Sequence, residues 1–528
     1  MTLDTAAPGS PERPGKSEIS PSVEPTAEPA AADPSDADRS EAGPPAAEPA
    51  DSERTAPADS ERTESERETP TGSAWSRLRP LVLRTHFYAG LLIAPFILLA
   101  AVSGLLYALS FQAEKIVYRD ELTVPAGQRY EGSLPLADQI AAARNVRPDG
   151  TVVAVRPATG ERDTTRVLMD APGVPEGSTL AVFVDPHTGK VRGELPSYGS
   201  SGALPLRTWL DELHRDLRLG EFGRNYSELA ASWLWVVALG GLALWIGRRR
   251  SSRRDLLRPE PGAKGRRRTL SWHGTVGAWA VLGLVVLSAT GLTWSRYAGE
   301  NIGAVQDQLG GATPAVSATL DGGSGGGDGG HAGHGAGHGG AYQGADIGID
   351  RALESARAAG IDGPLSITLP AAGTGYVIKE TDTTFPVRLD SVAVDPADGA
   401  IVDELRFDDY PLLAKATRYG IDAHMGVLFG LANQLVLAAL AVALILVILW
   451  GYRMWWQRRP TKGRALGGRP VPRGAWRKVP PVLLLPLAAA VALVGWFVPL
   501  LGLSLLVFLA VDLALGAVSR LRSRTAGG

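Results

Sequence analysis

The chain has 528 residues, of which 45% are hydrophobic, with 53 Lys and Arg against 55 Asp and Glu and a formal net charge of −2. It contains no cysteine, which excludes disulfides, thiolate metal sites, iron–sulfur clusters and covalently attached c-type haem. The apolar residues are concentrated in a few long runs, so the chain divides into segments of different kinds.

The predicted segments begin with an acidic tail, residues 1–76, which we expect to be disordered and cytoplasmic. Residues 1–72 hold 17 acidic and 6 basic residues, are rich in Pro, Ala, Ser and Glu, and contain almost no aromatic residue. A tail of this composition cannot bury enough apolar surface to offset the entropy lost on ordering the chain.

Four apolar runs are each long enough to cross a bilayer as a helix, and a fifth apolar region can hold two shorter spans. Trp and Tyr at the ends of several runs are typical of helices that end at a membrane interface. The predicted spans are TM1 over 77–110, TM2 over 227–247, TM3 over 272–296, TM4 over 424–452, and a C-terminal TM5/TM6 pair of short helices over 481–518.

Basic residues set the expected orientation of these spans. Ten Lys and Arg lie in the stretch 248–268 and nine in 453–478, and such clusters stay on the cytoplasmic side of a membrane. The loops 248–271 and 453–480 are therefore predicted to be cytoplasmic, as are both termini, in a multi-pass protein of a bacterial cell membrane. We interpret the clusters as topology signals and expect no nucleic-acid partner.

The two long connections, 111–226 and 297–423, are then predicted to be outer domains, and they resemble each other. Val184–Val191 matches Val394–Ile401 at an offset of 210 residues, and both contain Asp-Pro-x-x-Gly, a pattern typical of a hairpin turn. An amphipathic helical stretch and strand-like runs accompany each. The predicted fold is an α-helical membrane protein with α+β extracytoplasmic domains. It consists of two tandem repeats of TM helix, outer domain and TM helix, followed by the C-terminal TM pair.

Four of the eight histidines occupy matched positions in these repeats. Two repeats of the same orientation place His86 beside His273 near the cytoplasmic face. The same symmetry places His214 beside His424, which opens TM4, near the outer face. A single histidine at a membrane interface is commonly only a polar interfacial residue. Two facing pairs at equal depth are the arrangement that two bis-histidine b-type haems require, and they predict such sites.

Small residues on the spans support this interpretation weakly. Ser103-Gly104 in TM1 and Ala289-Thr290-Gly291 in TM3 lie at similar positions. They would let a porphyrin approach the backbone closely, but small residues also serve ordinary helix packing in lipid.

The motifs around the histidines resemble the PepSY-associated transmembrane family, often called iron-regulated membrane proteins. The resemblance covers about residues 77–465. The motifs that carry it are Arg84-Thr-His-Phe-Tyr-Ala-Gly90, Leu213-His-Arg-Asp-Leu217, Trp272-His-Gly274, His424-Met-Gly426 and Gly451-Tyr-Arg-Met-Trp-Trp. It implies that the outer units are PepSY modules. Some relatives are inner-membrane reductases of ferric siderophores that bind two haem b groups. That implies His86, His214, His273 and His424 as axial ligands.

The leading functional hypothesis is therefore a transmembrane oxidoreductase of iron uptake. Electrons from a quinol or a separate cytoplasmic reductase would cross two haems and reduce a ferric siderophore or another ferric chelate outside. The alternative is a non-enzymatic PepSY protein that binds or regulates extracytoplasmic peptidases. A transporter is disfavoured, because within the repeated core we find no charged residue buried in mid-span and no broken helix.

Three further histidines, His331, His334 and His338, lie in a Gly/His-rich insert at 321–344 that has no counterpart in the first repeat. Flexible histidines can bind Cu, Zn or Ni weakly, so these residues are candidate metal ligands. A plain linker with incidental histidines is the simpler interpretation.

Overall fold

The computed structural model describes residues 74–126, 132–248, 256–320, 342–458 and 474–525. The predicted acidic tail up to residue 73 and the histidines of the Gly/His-rich insert lie outside the described residues.

The described residues form helices and one β-sheet. The helices are α1 (Ala74–Leu92), α2 (Ala94–Val117), α3 (Arg119–Leu122), α4 (Leu136–Val146), α5 (Pro205–Asp216), α6 (Gly220–Arg248), α7 (Gly265–Leu292), α8 (Tyr297–Gln308), α9 (Ile349–Ala358), α10 (Leu412–Met425), α11 (Gly430–Trp456), α12 (Pro481–Phe497) and α13 (Pro499–Thr525). The strands are β1 (Thr151–Arg156), β2 (Thr165–Asp170), β3 (Ser178–Val184), β4 (Val191–Tyr198), β5 (Leu365–Thr368), β6 (Tyr376–Glu380), β7 (Ser391–Val394) and β8 (Ile401–Leu405).

Five helices of the described chain are long and apolar enough to cross a membrane: α2, α6, α7, α11 and α13. Helix α12 is apolar but has 17 residues, which is near the lower limit for a span. The prediction of a multi-pass membrane protein with an α+β domain is confirmed. The C-terminal pair is not uniformly short, since α13 has 27 residues.

The first predicted span is not one continuous helix. The helix is interrupted at Ile93, between α1 and α2, because Pro95 has no N–H to donate to the carbonyl of Leu91. The Tyr452 hydroxyl donates to that carbonyl instead, at 3.0 Å, which satisfies a backbone group that lipid could not. The interruption is a proline kink of one residue, since Ile93 keeps helical dihedral angles and the bonds from Ile93 N–H to Ala89 and from Ile97 N–H to Ile93 continue through it.

Three predicted span starts also differ from the structure. Helix α6 begins at Gly220 rather than at residue 227. Helix α7 begins at Gly265 rather than at residue 272, because basic side chains continue the helix beyond the apolar run. His424 does not open the fourth span: it lies at the end of α10, and α11 begins at Gly430 after Gly426 takes a left-handed conformation. In a membrane protein, an apolar run predicts which residues cross the bilayer, but it does not predict the residue at which the helix begins.

The strands form one eight-stranded antiparallel sheet in the order β4-β3-β2-β1-β5-β6-β7-β8. Each predicted outer segment contributes four consecutive strands, and the two sets join where Ala154 and Val155 of β1 pair with Thr368 and Ile367 of β5. The outer segments therefore share a continuous sheet, which the sequence pattern did not reveal. Joining them removes two exposed strand edges.

Helices α4 and α9 cover one face of this sheet. Their apolar faces pack on alternate residues of the central strands, among which Val155, Val167 and Ile367 are fully buried. The Asp350 carboxylate of α9 accepts hydrogen bonds from the first backbone N–H groups of α4, at 2.7 and 3.1 Å. The predicted amphipathic helices are thus present, and they stabilise each other at a helix N-terminus.

The opposite face of the sheet packs toward the membrane helices. Leu168 and the fully buried Phe183 form a second apolar cluster with Leu204, at the start of α5. Helix α5 is then tied to the end of α2 by a buried ion pair, Arg207 Nε to Glu114 Oε2, at 3.0 Å. This packing fixes α5, which carries His214, against the membrane helices.

An intramembrane ion pair joins the C-terminal helix to the first one. Arg84 on α1 donates to Asp512, in the middle of the apolar α13. Replacing Asp512 with Ala is expected to lower stability by about 3–5 kcal/mol, because the buried guanidinium loses this partner in a medium of low dielectric constant. Thermal unfolding in detergent measures the effect. The double variant Arg84→Met/Asp512→Leu should recover most of the loss, and an unchanged single variant would contradict the assignment.

Candidate functional site

The structure brings the four predicted histidines together in two pairs. His86 on α1 faces His273 on α7, with ring centres 6.3 Å apart and ring planes at 75°. His214 on α5 faces His424 on α10, with ring centres 6.5 Å apart and planes at 49°. We call these the first and the second histidine pair.

Backbone carbonyls orient both rings of the first pair. His86 Nδ1 lies 3.0 Å from the Val237 carbonyl oxygen of α6, and His273 Nδ1 lies 2.9 Å from that of Val447 on α11. A carbonyl oxygen only accepts, so each Nδ1 must carry the proton. Each Nε2 is then a free lone pair, which is the form that ligates a metal.

Hydroxyl groups orient the second pair with the same result. Ser103 Oγ lies 3.0 Å from His214 Nδ1 and 2.9 Å from the Leu99 carbonyl oxygen. A hydroxyl has one proton, and the carbonyl can only accept it. We assign the Ser103 proton to its own helix carbonyl, as is common for Ser within a helix, so that the Ser103 oxygen accepts from His214 Nδ1–H and Nε2 is left free.

Thr290 repeats this arrangement on α7. Its Oγ1 lies 2.7 Å from His424 Nδ1 and 2.8 Å from the Val286 carbonyl oxygen. The hydroxyl donates to its own helix backbone, as Ser and Thr commonly do within helices, and accepts from the histidine. With this assignment of the two hydroxyl protons, all four imidazoles are in the tautomer that presents Nε2.

A glycine on a neighbouring helix lies against each ring. A Cβ at Gly241 would come within 2.8 Å of His86 Cε1, and one at Gly104 within 3.1 Å of His214 Cε1. Gly451 and Gly291 stand in the same relation to His273 and His424, at 3.8 and 3.5 Å. The absence of side chains at these positions lets each ring lie on the helix backbone. Gly104 and Gly291 were singled out from the sequence.

Open space lies beside the first pair on the helices that carry it. Gly90 and Gly277 follow His86 and His273 by four residues, which places each on the same helix face as its histidine. A Cβ at either glycine would meet no atom within 4 Å. There is therefore room for a larger group at each of these two positions, one turn from the histidine on the same helix.

The spacing of the rings fits a metal between them. An imidazole nitrogen lies about 2.0 Å from a metal that it ligates and about 1.1 Å from its own ring centre, so two imidazoles on opposite sides of one metal have ring centres about 6 Å apart. Both pairs meet this distance. With the free Nε2 atoms and the glycines, the residues present fit a bis-histidine haem at each pair.

The two pairs lie at different depths along the bundle. Helix α7 carries His273 of the first pair and Thr290, which contacts the second pair, 17 residues further on. At 1.5 Å per residue these positions are about 25 Å apart along the helix. That separation is close to the thickness of the apolar part of a bilayer.

The orienting carbonyls of the first pair were not found from the sequence. Every residue has a backbone carbonyl, so residue type does not identify the ones that orient a histidine. The positions of repeated residues in the two halves could have identified them. Val237 and Gly241 on α6 recur as Val447 and Gly451 on α11, at the offset of 210 that relates the outer segments. A search for identical residues at that offset within the spans would have selected both.

The sheet, the membrane helices and the two histidine pairs define the class of protein: a multi-pass membrane protein with an α+β domain and two facing pairs of histidines. The family model described as the PepSY-associated TM region matches residues 83–458, a stretch that contains all four histidines. The chain belongs to this family, and the resemblance noted from the sequence is confirmed. A comparison with curated proteins finds no match.

Proposed function

We propose that this protein is a membrane-spanning electron-transfer protein that holds two b-type haems, one at each histidine pair. In the proposed orientation the termini are cytoplasmic in a bacterial cell membrane, and the first pair lies near the cytoplasmic face. A quinol or a separate cytoplasmic reductase would supply electrons, and a ferric siderophore or another ferric chelate would accept them outside. The observation that supports the proposal is the ring-to-ring spacing of both pairs together with the contacts at each Nδ1, which leave Nε2 to act as a ligand.

We further propose that the chain arose from two tandem copies of one unit. In the first half α4 is followed by β1–β4, and in the second half α9 is followed by β5–β8. The two sets of four strands lie on either side of the β1–β5 junction in the sheet. Each copy contributes one histidine to each pair. Duplication explains why two residues of the same kind meet at each site.

The roles of the chain's residues follow from their contacts. Bound haem iron would supply one-electron chemistry at each pair. Each histidine Nδ1–H donates to a fixed acceptor, so that ring rotation and the competing tautomer are disfavoured. The acceptors are the carbonyls of Val237 and Val447 at the first pair and the hydroxyls of Ser103 and Thr290 at the second. Apolar side chains of α2, α6 and α11, including Ile97, pack around the bundle and exclude water.

Removing the Thr290 hydroxyl tests this orienting role. Thr290→Val keeps the shape of the side chain but deletes the acceptor of His424 Nδ1–H, so haem affinity at the second pair should fall by roughly 10–100-fold. Haem titration into haem-depleted protein measures the affinity. Thr293→Val is the matched control, since the Thr293 hydroxyl donates to the Thr290 carbonyl and contacts no histidine among the described residues. Equal affinities in both variants would contradict the assigned role.

The function itself is tested in sealed vesicles that contain the purified protein. The vesicles are loaded with dithionite, and ferric citrate with a ferrous-iron indicator is added outside. The proposal predicts ferrous iron outside at a rate that depends on the protein and is lost in His273→Ala and His424→Ala. A rate unchanged by both substitutions would contradict electron transfer and favour the non-enzymatic PepSY alternative.

A further inference from the structure

Two arginines of the sheet face each other across neighbouring strands. Arg156 ends β1 and pairs in register with Arg166 of β2. Both lie on the sheet face that packs toward α5, since Ala154 and Leu168, two residues away on each strand, pack there. Like charges directly opposite each other on one sheet face are destabilising, so this pair requires an explanation.

A third arginine and a short loop complete the cluster. Arg156 Nη2 donates to the Ser200 carbonyl at 2.7 Å, and Arg166 Nη1 donates to the Gly202 carbonyl at 3.3 Å. Arg207 Nη2 of α5 donates to the same Gly202 carbonyl at 3.3 Å. These acceptors are neutral, so they satisfy hydrogen bonds but do not balance charge. Arg156 Nε is buried and has no hydrogen-bond partner in the structure.

The nearby carboxylates are already engaged. Glu114 pairs with Arg207 and also accepts from the Leu204 N–H at 2.7 Å. Asp163 accepts from the Thr159 hydroxyl and the Gly160 N–H, both at 2.9 Å. In the described part of the chain neither of the two strand arginines forms an ion pair.

The environment works against the charges of this cluster. Burial, followed by the neighbouring positive charges of Arg166 and Arg207, lowers the pKa of Arg156 to about 10. Burial also lowers the pKa of Arg166. Both groups stay protonated at neutral pH, so the cluster holds an excess of positive charge in a partly desolvated place.

The cluster lies close to the second histidine pair along the chain. Arg207 and His214 are both on α5, seven residues apart, which is two turns or about 10 Å along the helix. A ligand held by the arginines would therefore lie near the pair that we assign to the outer face.

We propose that Arg156, Arg166 and Arg207 form an oxyanion-binding site for a ligand that presents carboxylate or phosphate groups. Guanidinium forks match such groups with two parallel hydrogen bonds, and an anion would balance the excess charge. The substrate assignment rests on the proposed function: the external ferric chelate would carry carboxylates. The same chemistry has a second source, the propionates of a haem bound at the second pair.

Calorimetric titration of citrate into the detergent-purified full chain tests the site, with haem content measured on the same samples. The variants are Arg156→Gln and Arg166→Gln, with Arg351→Gln, an exposed position on α9, as the matched control. A soluble ligand predicts that citrate binds wild type and the control, and binds both cluster variants about tenfold or more weakly. A propionate source predicts instead that the cluster variants lose haem while the control keeps it. Unchanged citrate binding together with unchanged haem content would overturn the proposal.

A second measurement guards against misfolding of the variants. Removing one of two facing arginines relieves repulsion, so in citrate-free buffer each Gln variant should melt at or above the wild-type temperature. Citrate should raise the melting temperature of wild type more than that of the variants. Haem content distinguishes failure of the oxyanion site from failure of the proposed electron-transfer function. If the protein bound citrate but took up no haem, the oxyanion site would be supported and the electron-transfer function contradicted.

Discussion

His214→Ala is expected to remove one of two bound haems and to leave the other spectroscopically unchanged. The two pairs share no residue, and Thr290, which contacts the second pair, lies about 25 Å along α7 from His273 of the first. Loss of one imidazole at the second pair therefore leaves the first pair's ligands and their carbonyl partners in place. The pyridine haemochrome assay should report about half of the wild-type haem per chain.

The control for this prediction is His187→Ala. His187 lies in the turn between β3 and β4, and its Nδ1 contacts the Gly132 carbonyl rather than another histidine. Its replacement should leave both haems bound. Full haem content in His214→Ala, or equal losses in the two variants, would contradict the assignment of the second pair.

Gly277→Phe is expected to abolish haem binding at the first pair. The side chain would project from α7 on the same face as His273, into a space that contains no atom within 4 Å of the Cβ position. In the protein without haem its Cβ meets no neighbouring atom, so we expect folding to be preserved. A macrocycle between His86 and His273 would need that space, and overpacking a filled site is unfavourable.

Ala439→Phe is the matched control, because it adds the same aromatic ring at an exposed position of the membrane helix α11. Haem content and the elution profile in size-exclusion chromatography are measured for both variants. We expect Gly277→Phe to bind about half of the wild-type haem per chain and Ala439→Phe to bind the full amount, with both proteins monodisperse. Full haem in a well-folded Gly277→Phe would show that the space beside the first pair is not a haem site.

The sequence predicted those features of the site that depend on residue type and spacing. The four histidines, Ser103-Gly104 and Thr290-Gly291 were selected because imidazoles and small residues recur at matched places in the two halves. The structure adds features that the sequence pattern did not predict. It gives the ring-to-ring spacing, the proton on each Nδ1, and the place of His424 at the end of α10.

The sheet shows a different limit of sequence analysis. Two hairpin turns were predicted from Asp-Pro-x-x-Gly, and both are confirmed. The first contains Gly189, with φ of 70°, and the second contains Gly399, with φ of 81°. The β1–β5 pairing was not predicted, since it joins residues more than 200 positions apart and rests on backbone hydrogen bonds that any strand can make. The three-arginine cluster was missed for the same reason, because only strand register places Arg156 beside Arg166.

Binding of two haems is tested by a dithionite-reduced minus oxidised absorption spectrum of the detergent-purified, haem-supplied protein, with haem quantified per chain. We expect a b-type spectrum and two haems per chain. A well-folded preparation that contains no haem would contradict this expectation, and the paired histidines would then require an explanation other than electron transfer.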